Sequence, residues 1–168
     1  MPLSKFHDAH FDAIVLAPFG AVGIRTEGKA IAGVAFLPPP TKARSPTNLL
    51  AAEAAKQVTQ YLADSHFRFA LPLTEAGTPF QRKVWQQIAA IESGKTNTYG
   101  GIAKRIRTAP RAVGQACGAN PYPLVTPCHR VVSASGGLGG FSGSVADKNF
   151  LLQVKRWLLA HEGIEDFA

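Results

Sequence analysis

Cys128 and His129 stand side by side in the stretch "VTPCHRVVSASG", residues 125–136. Free cysteines are commonly buried and inert, yet this one lies in a polar, turn-flanked segment beside an imidazole. The thiolate is the reactive form of cysteine, and a nearby imidazole can take its proton. The pair therefore makes chemical sense as an activated nucleophile and its base. As a metal pair it wants further ligands at sensible spacing, and as a redox cysteine it wants a CxxC partner. Neighbouring side chains in a strand point to opposite faces, so communication between the two needs a turn or a bridging water. Pro121, Pro123 and Pro127 supply irregular backbone of that kind.

The rest of the chain has to hold this pair in place. Its 168 residues suit one ordinary domain or two small ones, and a hydrophobic fraction of 46% excludes a disordered chain. No apolar run of about 18 residues exists, which excludes a transmembrane helix and a membrane partner of that kind. The start, "MPLSKFHDAHFDAIVL", does not resemble a signal peptide. Two cysteines, Cys117 and Cys128, without a secretion signal point to a reduced, cytoplasmic setting and no structural disulfide. The five histidines are scattered, so no metal site is expected. Residues 1–75 hold seven Lys/Arg and six Asp/Glu, whereas residues 76–168 hold eleven and five. The positive charge thus concentrates in the second half, which suits an anionic partner, with nucleic acid the leading candidate.

Three apolar runs bounded by turn residues, "FDAIVLA", "FGAVGIRT" and "AIAGVAFL", read as strands of an antiparallel sheet joined by hairpins. "PPPTKARSP" ends the sheet. A helix follows over "TNLLAAEAAKQVTQYLADS", with Leu50, Ala54, Val58 and Tyr61 recurring at helical spacing. Thr78 and Gln81 then form a capping-box signature with Pro79 at the first helical position. Phe80, Val84, Ile88 and Ile91 make the buried stripe of that helix, and Gly94 is expected to stop it. "TYGGIAKRI", the link "RTA" and "PRAVGQACGAN" have the form of a helix-turn-helix. The second of these helices is nearly bare, with Ala112, Ala116 and Ala119 at i, i+4 and i+7 and Gly114 and Gly118 between them. Glycine within a helix costs roughly 1 kcal/mol relative to alanine. A packed neighbour could require so small a surface, and so could a DNA minor groove only about 6 Å wide. A strand follows the cysteine, then the glycine-rich loop "SASGGLGGFSG". A last helix carries Phe150, Leu151, Val154, Trp157 and Leu158 on its apolar face. The expected fold class is α/β of the α+β kind. Residues 1–75 form a structural domain of antiparallel sheet and helix. Residues 76–168 form a mostly helical domain with the helix-turn-helix and a short β element.

"NPYPLVTPCHRVV" resembles the active-site signature of the O6-alkylguanine-DNA alkyltransferases. "GTPFQRKVWQQIAAIESGKTNTYGGIA", "RAVGQACGANP", "GLGGFSG" and "KRWLLAHEG" resemble that family's motifs in the same order. The resemblance covers most of residues 76–168 and implies an activity. Cys128 would accept the alkyl group from O6 of guanine in an SN2 displacement. His129 would act as general base through a water, with Glu162 orienting the imidazole. Asn120 would support the thiol's hydrogen bonds. Tyr99 would push a phosphate to rotate the nucleotide outward and would stabilise the departing guanine. Arg111 would fill the space of the extruded base. Thr98, Tyr99, Arg111, Ala112, Gly114 and Gln115 would face DNA in the minor groove. Cys117, Val131, Phe141 and Ser142 would line the pocket. A thioether is stable to water, so each molecule would act once, without a cofactor, on double-stranded DNA containing O6-alkylguanine, as a monomer.

The chain departs from the family pattern in three places. Phe141 stands where many members have tyrosine and has no hydroxyl to donate. Cys117 occupies a position often held by other residues. "SVADKNFLLQV" adds about seven residues before "KRWLLAHEG", roughly two helical turns, an extension that either keeps the helix face or displaces Glu162. The competing function is a lesion-binding protein of the alkyltransferase-like type, but those replace the nucleophilic cysteine that is present here. A helix-turn-helix regulator would need base-reading side chains where this helix has Ala and Gly. A cysteine hydrolase would need an oxyanion site that is not identifiable.

Overall fold

The computed structural model describes residues 10–140 and 148–167. Two compact units divide the chain between Glu75 and Ala76, and the first also takes in residues 148–150.

In the first unit, β1 (Ala13–Ala17), β2 (Gly20–Glu27) and β3 (Ala30–Leu37) form an antiparallel sheet in sequence order. Two-residue links join the strands, and Gly28 takes φ +61 in the second, the left-handed conformation that tight hairpins favour. Ala21, Val22 and Ile24 of the central strand are buried. A side chain at Gly23 would collide with the ring of Phe11, 2.7 Å from an ideal Cβ, so the glycine lets that ring lie on the strand.

Helix α1 (Leu49–Ala63) is started by Asn48, whose side chain accepts from the Ala51 amide. Asp12 fastens this helix start to the sheet. Its carboxylate accepts from the Thr26 amide at 2.8 Å, the Thr26 hydroxyl at 2.9 Å and the Thr47 hydroxyl at 2.8 Å. The helix buries Ala51, Ala54, Gln57, Val58 and Tyr61, and Leu50 stays partly exposed, contrary to its place in the expected stripe. Gln57 takes an inward position because its amide bonds both backbone groups of Ala70, at 3.0 and 2.9 Å.

In the second unit, α2 (Pro79–Ala89) begins with the full capping box: Thr78 accepts from the Gln81 amide, and Gln81 accepts from the Thr78 amide. The helix ends at Ala89, earlier than Gly94 suggested. Ile91 folds back after the last turn, its amide donating to Ile88 at 3.0 Å, and buries its side chain. Gly94 belongs to a later turn, with φ +83.

The strand β4 (Asn97–Thr98) runs directly into α3 (Tyr99–Arg105), and α4 (Pro110–Gly118) follows after a turn in which Arg107 takes φ +59. Cys128–Arg130 form a short 3-10 turn leading into β5 (Val131–Val132), which pairs in parallel with β4. That pairing sets the start of α3 beside the segment that follows the cysteine. Helix α5 (Lys148–His161) buries Leu151, Val154, Lys155, Leu158 and Leu159. Phe150 and Trp157, expected on the buried face, are only partly buried, and Trp157 stacks on His161 at 4.8 Å between ring centroids. Their place is taken by Lys155 and Leu159, so the buried face is turned from the one read by hydrophobicity. The core of this unit gathers Val84, Ile88, Ile91, Ile102, Val113 and Val131 around the two cysteines.

Candidate active site

Cys128 opens the 3-10 turn behind Pro127 and is buried, with 3% of its surface exposed. The turn, rather than an extended strand, lets Cys128 and His129 share one buried neighbourhood. Asn120, just past the end of α4, spans the bend. Its Nδ2 donates to the Thr126 carbonyl at 2.9 Å and to Cys128 Sγ at 3.0 Å, while its Oδ1 accepts from the Tyr122 amide at 2.9 Å. The Cys128 thiol approaches the Cys117 carbonyl at 3.6 Å, and the neighbouring Cys117 side chain together with burial pushes its pKa well up. At rest Cys128 is therefore protonated, and it needs a base to become a nucleophile.

His129 is fully buried, and its Nε2 lies 2.7 Å from Glu162 Oε2. Burial lowers its pKa, opposed by the hydrogen bond to Glu162, so the ring is neutral at pH 7. A carboxylate only accepts hydrogen bonds, so the proton sits on Nε2 and Nδ1 keeps its lone pair. Nδ1 is buried and has no hydrogen-bond partner among the described residues. Glu162 follows the end of α5, and the extended helix places its carboxylate at the imidazole. Arg130 holds the same carboxylate through Nε at 2.8 Å and Nη2 at 3.1 Å, and its Nη1 donates to the Ile91 carbonyl at 2.6 Å. The carboxylate thus meets His129, the Arg130 fork and, at 3.4 Å, the Gly94 amide.

Tyr99 begins α3 and is partly buried, its hydroxyl donating to the Gly140 carbonyl at 3.2 Å. Burial raises its pKa above the ordinary phenol value, followed by repulsion from the two cysteines, so it stays protonated. Gly139, at φ +74, lies against this ring, and an ideal Cβ there would come within 2.5 Å of it. Lys155 is the residue hydrophobic patterning missed. Its Nζ donates to the carbonyls of Val131 at 2.8 Å, Leu138 at 2.6 Å and Gly140 at 2.8 Å. It also lies 3.4 Å from the Tyr99 hydroxyl. Desolvation lowers its pKa to about 8, against the attraction of the cysteines. A lysine spaced four residues from both Leu151 and Leu159 is the signal that could have found it. Arg130 carried no sequence signal beyond its adjacency to His129.

The remaining expected residues fall on two surfaces. Thr98 caps α3 by accepting from the Gly101 amide at 2.9 Å. On α4, Arg111 and Gln115 are exposed and Ala112 and Gly114 are partly exposed. Ala116 points inward instead: it is buried, and its carbonyl accepts from Trp85 Nε1 at 2.8 Å, so close packing on α2 accounts for its size. Cys117 and Val131 are buried beside Cys128 in one apolar cluster. Phe141 and Ser142 lie outside the described residues. Among the described residues, no group of three or more His, Cys, Asp or Glu could hold a metal ion. No helix among them is long and apolar enough to cross a membrane.

Residues 79–164, which hold this whole constellation, match the family model described as 6-O-methylguanine DNA methyltransferase, DNA binding domain. The constitutive methylated-DNA–protein-cysteine methyltransferase of Bacillus subtilis is 44% identical over 108 residues, covering 62% of this chain and 66% of that protein. The methylated-DNA–protein-cysteine methyltransferase of Methanosarcina mazei is 34% identical over 149 residues, covering 84% and 94%. Among solved structures, Mycobacterium tuberculosis OGT in complex with DNA has a TM-score of 0.74 at 32% identity, covering 92% of this chain and 94% of that one. The Mycobacterium tuberculosis O6-methylguanine methyltransferase gives 0.71 at 31%, covering 92% of each. These neighbours share the small antiparallel sheet and the helical second unit. On the match of residues 79–164 and the near full-length likeness to the Methanosarcina protein, the chain belongs to the 6-O-methylguanine DNA methyltransferase family.

Proposed function

We propose that this protein repairs DNA by moving the alkyl group of O6-alkylguanine onto Cys128, once per molecule. The observation that carries the reading is the buried His129–Glu162 pair directly after the buried Cys128. Its imidazole holds an unpaired, proton-accepting Nδ1. The Cys128 proton passes to that nitrogen through a water, and the thiolate attacks the alkyl carbon from the side opposite O6. The carbon–oxygen bond breaks as the carbon–sulfur bond forms. The guanine anion leaves, taking a proton at a ring nitrogen from the Tyr99 hydroxyl. Asn120 keeps a donor on the sulfur while charge develops there. Lys155 pins the glycine loop against Tyr99 and favours charge building on the phenol oxygen.

The thioether that results is stable to water and, as an alkyl sulfide, to a neighbouring thiol, so no cofactor enters and the protein is consumed. Thr98, Tyr99, Arg111, Ala112, Gly114 and Gln115 face the minor groove of double-stranded DNA. Arg111 replaces the flipped base in the stack. Cys117 and Val131 line the pocket. Residues 1–75 serve as a structural domain and residues 76–168 as the DNA-binding acceptor domain. The excess of basic residues in the latter binds phosphates without sequence preference. The protein works as a monomer in the cytoplasm.

Intact mass after mixing with a duplex that holds one O6-methylguanine tests the reading. The wild type gains one methyl and saturates there, and Cys128→Ser gains none. Tight lesion binding with unchanged wild-type mass would replace this reading with that of a lesion-binding protein.

A further inference from the structure

Among the described residues, Cys117 is a nucleophilic side chain of the pocket that alkyl transfer leaves idle. The chain contains two cysteines, both free, and the fold brings them together although no CxxC spacing exists. Cys117 lies one residue before the end of α4, and Cys128 opens the 3-10 turn. The two side chains are close enough that each perturbs the other's ionisation. Cys128 Sγ also points at the Cys117 carbonyl, 3.6 Å away. Both sulfurs sit in the same apolar cluster, with 6% and 3% of each residue exposed.

A single-use acceptor is open to a particular loss. A sulfenic acid formed on Cys128 proceeds to the sulfinic acid irreversibly unless a neighbouring thiol intercepts it. From the approach of Cys128 Sγ to Cys117 and the single buried cluster that holds both side chains, we propose that Cys117 is a resolving cysteine, which closes a reversible disulfide with Cys128 when a hydroperoxide oxidises the pocket. In the first step the Cys128 thiolate attacks the peroxide oxygen, the O–O bond breaks, and Cys128 becomes a sulfenic acid with release of water or an alcohol. In the second, Cys117 gives up its proton and attacks the sulfenyl sulfur. The S–S bond forms and the S–O bond breaks, releasing water. Two thiols are oxidised by two electrons and one hydroperoxide is reduced. A dithiol reductant returns both thiols. The consequence for alkyl transfer rests on the function proposed above, whereas the disulfide itself does not.

Hydrogen peroxide acting on the reduced full-length protein, followed by thiol blocking and non-reducing intact mass, tests the pair. Trypsin leaves both cysteines in one peptide, residues 112–130, since no Lys or Arg intervenes. The expected result is a monomer two hydrogens lighter, with that peptide carrying the loss and neither cysteine blocked. Dithiothreitol then restores methyl acceptance to the level of the untreated protein. In Cys117→Ser, compared with its own reduced control, Cys128 instead gains oxygen and acceptance is not recovered. Oxygen gain on wild-type Cys128 without a disulfide overturns the proposal, as does a disulfide between two chains. Recovery of Cys117→Ser equal to that of the wild type overturns it too. A disulfide in a protein whose reduced form accepts no methyl supports the thiol pair and overturns the alkyl-transfer reading.

Discussion

Replacing Glu162 with glutamine changes one atom type at the centre of the site. The native carboxylate accepts from His129 Nε2 at 2.7 Å and from Arg130 Nε and Nη2 at 2.8 and 3.1 Å. A glutamine offers one accepting oxygen and one donating amide group, and arginine can only donate. Oε1 meets two obligate donors, Arg130 Nε and the Gly94 amide, whereas Oε2 meets His129 and one Arg130 donor, so the oxygen takes the Oε1 position and the amide nitrogen faces His129. Imidazole then has to accept at Nε2, which moves its proton to Nδ1, the atom that should receive the Cys128 proton. General-base assistance contributes about 10²–10⁴ in rate, equivalent to about 3–5 kcal/mol of barrier. Methyl transfer by Glu162→Gln should slow by that factor in a single-turnover reaction sampled by intact mass. Lesion-duplex affinity, read by fluorescence anisotropy, should hold, because Glu162 is buried away from the α4 surface. Loss of one partner of a buried charge pair also costs about 3–5 kcal/mol of stability, so a melting curve must accompany the rate. A folded variant that transfers within about threefold of wild type would refute the assigned tautomer and the base it defines.

Further expectations follow from the same geometry. The transfer rate should be bell-shaped in pH. Burial lowers the pKa of His129, so the acid limb lies below the ordinary imidazole value, where the base becomes protonated. The alkaline limb lies near pH 8, where Lys155 loses its charge. Lys155→Met should be slower and lack the alkaline limb, and a variant that still declines through that range would clear Lys155 of the role. Gly139→Ala places a methyl into the Tyr99 ring. Misplacement of a reacting group by about 1 Å costs on the order of 10²-fold, so this variant should transfer that much more slowly with its fold intact by circular dichroism. Thr78→Ala removes the hydroxyl that accepts from the Gln81 amide, leaving the reciprocal bond from the residue 78 amide to Gln81, and should lower unfolding free energy by about 1 kcal/mol in a urea titration, leaving the transfer rate unchanged. Asp12 has a lowered pKa, chiefly through the Thr26 amide. Its contribution to stability is present above the ordinary aspartate value and is lost as pH falls through the lowered one. Asp12→Asn should therefore flatten the acid side of the stability curve.

Local sequence determined much of this protein. Strands and hairpins were legible because alternation and turn residues act within a few positions. The Thr78–Gln81 box was legible because a helix start is satisfied by groups three residues apart. The α3–α4 pair could be read from two short apolar periods with a link, and Cys128 and His129 from their adjacency alone. The end of α2 could not, because Ile91 leaves the helix to enter a core whose other walls come from distant segments. Leu50, Phe150 and Trp157 were placed by hydrophobicity, which says that a helix has a buried face without fixing which apolar residues occupy it. Lys155 defeats that reading outright. An ammonium group is buried only where oxygens await it, and those oxygens lie on Val131, Leu138 and Gly140. Likewise Arg130 and Glu162 meet across 32 residues, and the Cys128 thiol meets the Cys117 carbonyl across 11. Residue type and spacing thus fixed which groups were available for chemistry. The tertiary structure alone decided which of them touch, because hydrogen bonds and desolvation depend on distance in space, whereas capping and periodicity depend on distance along the chain.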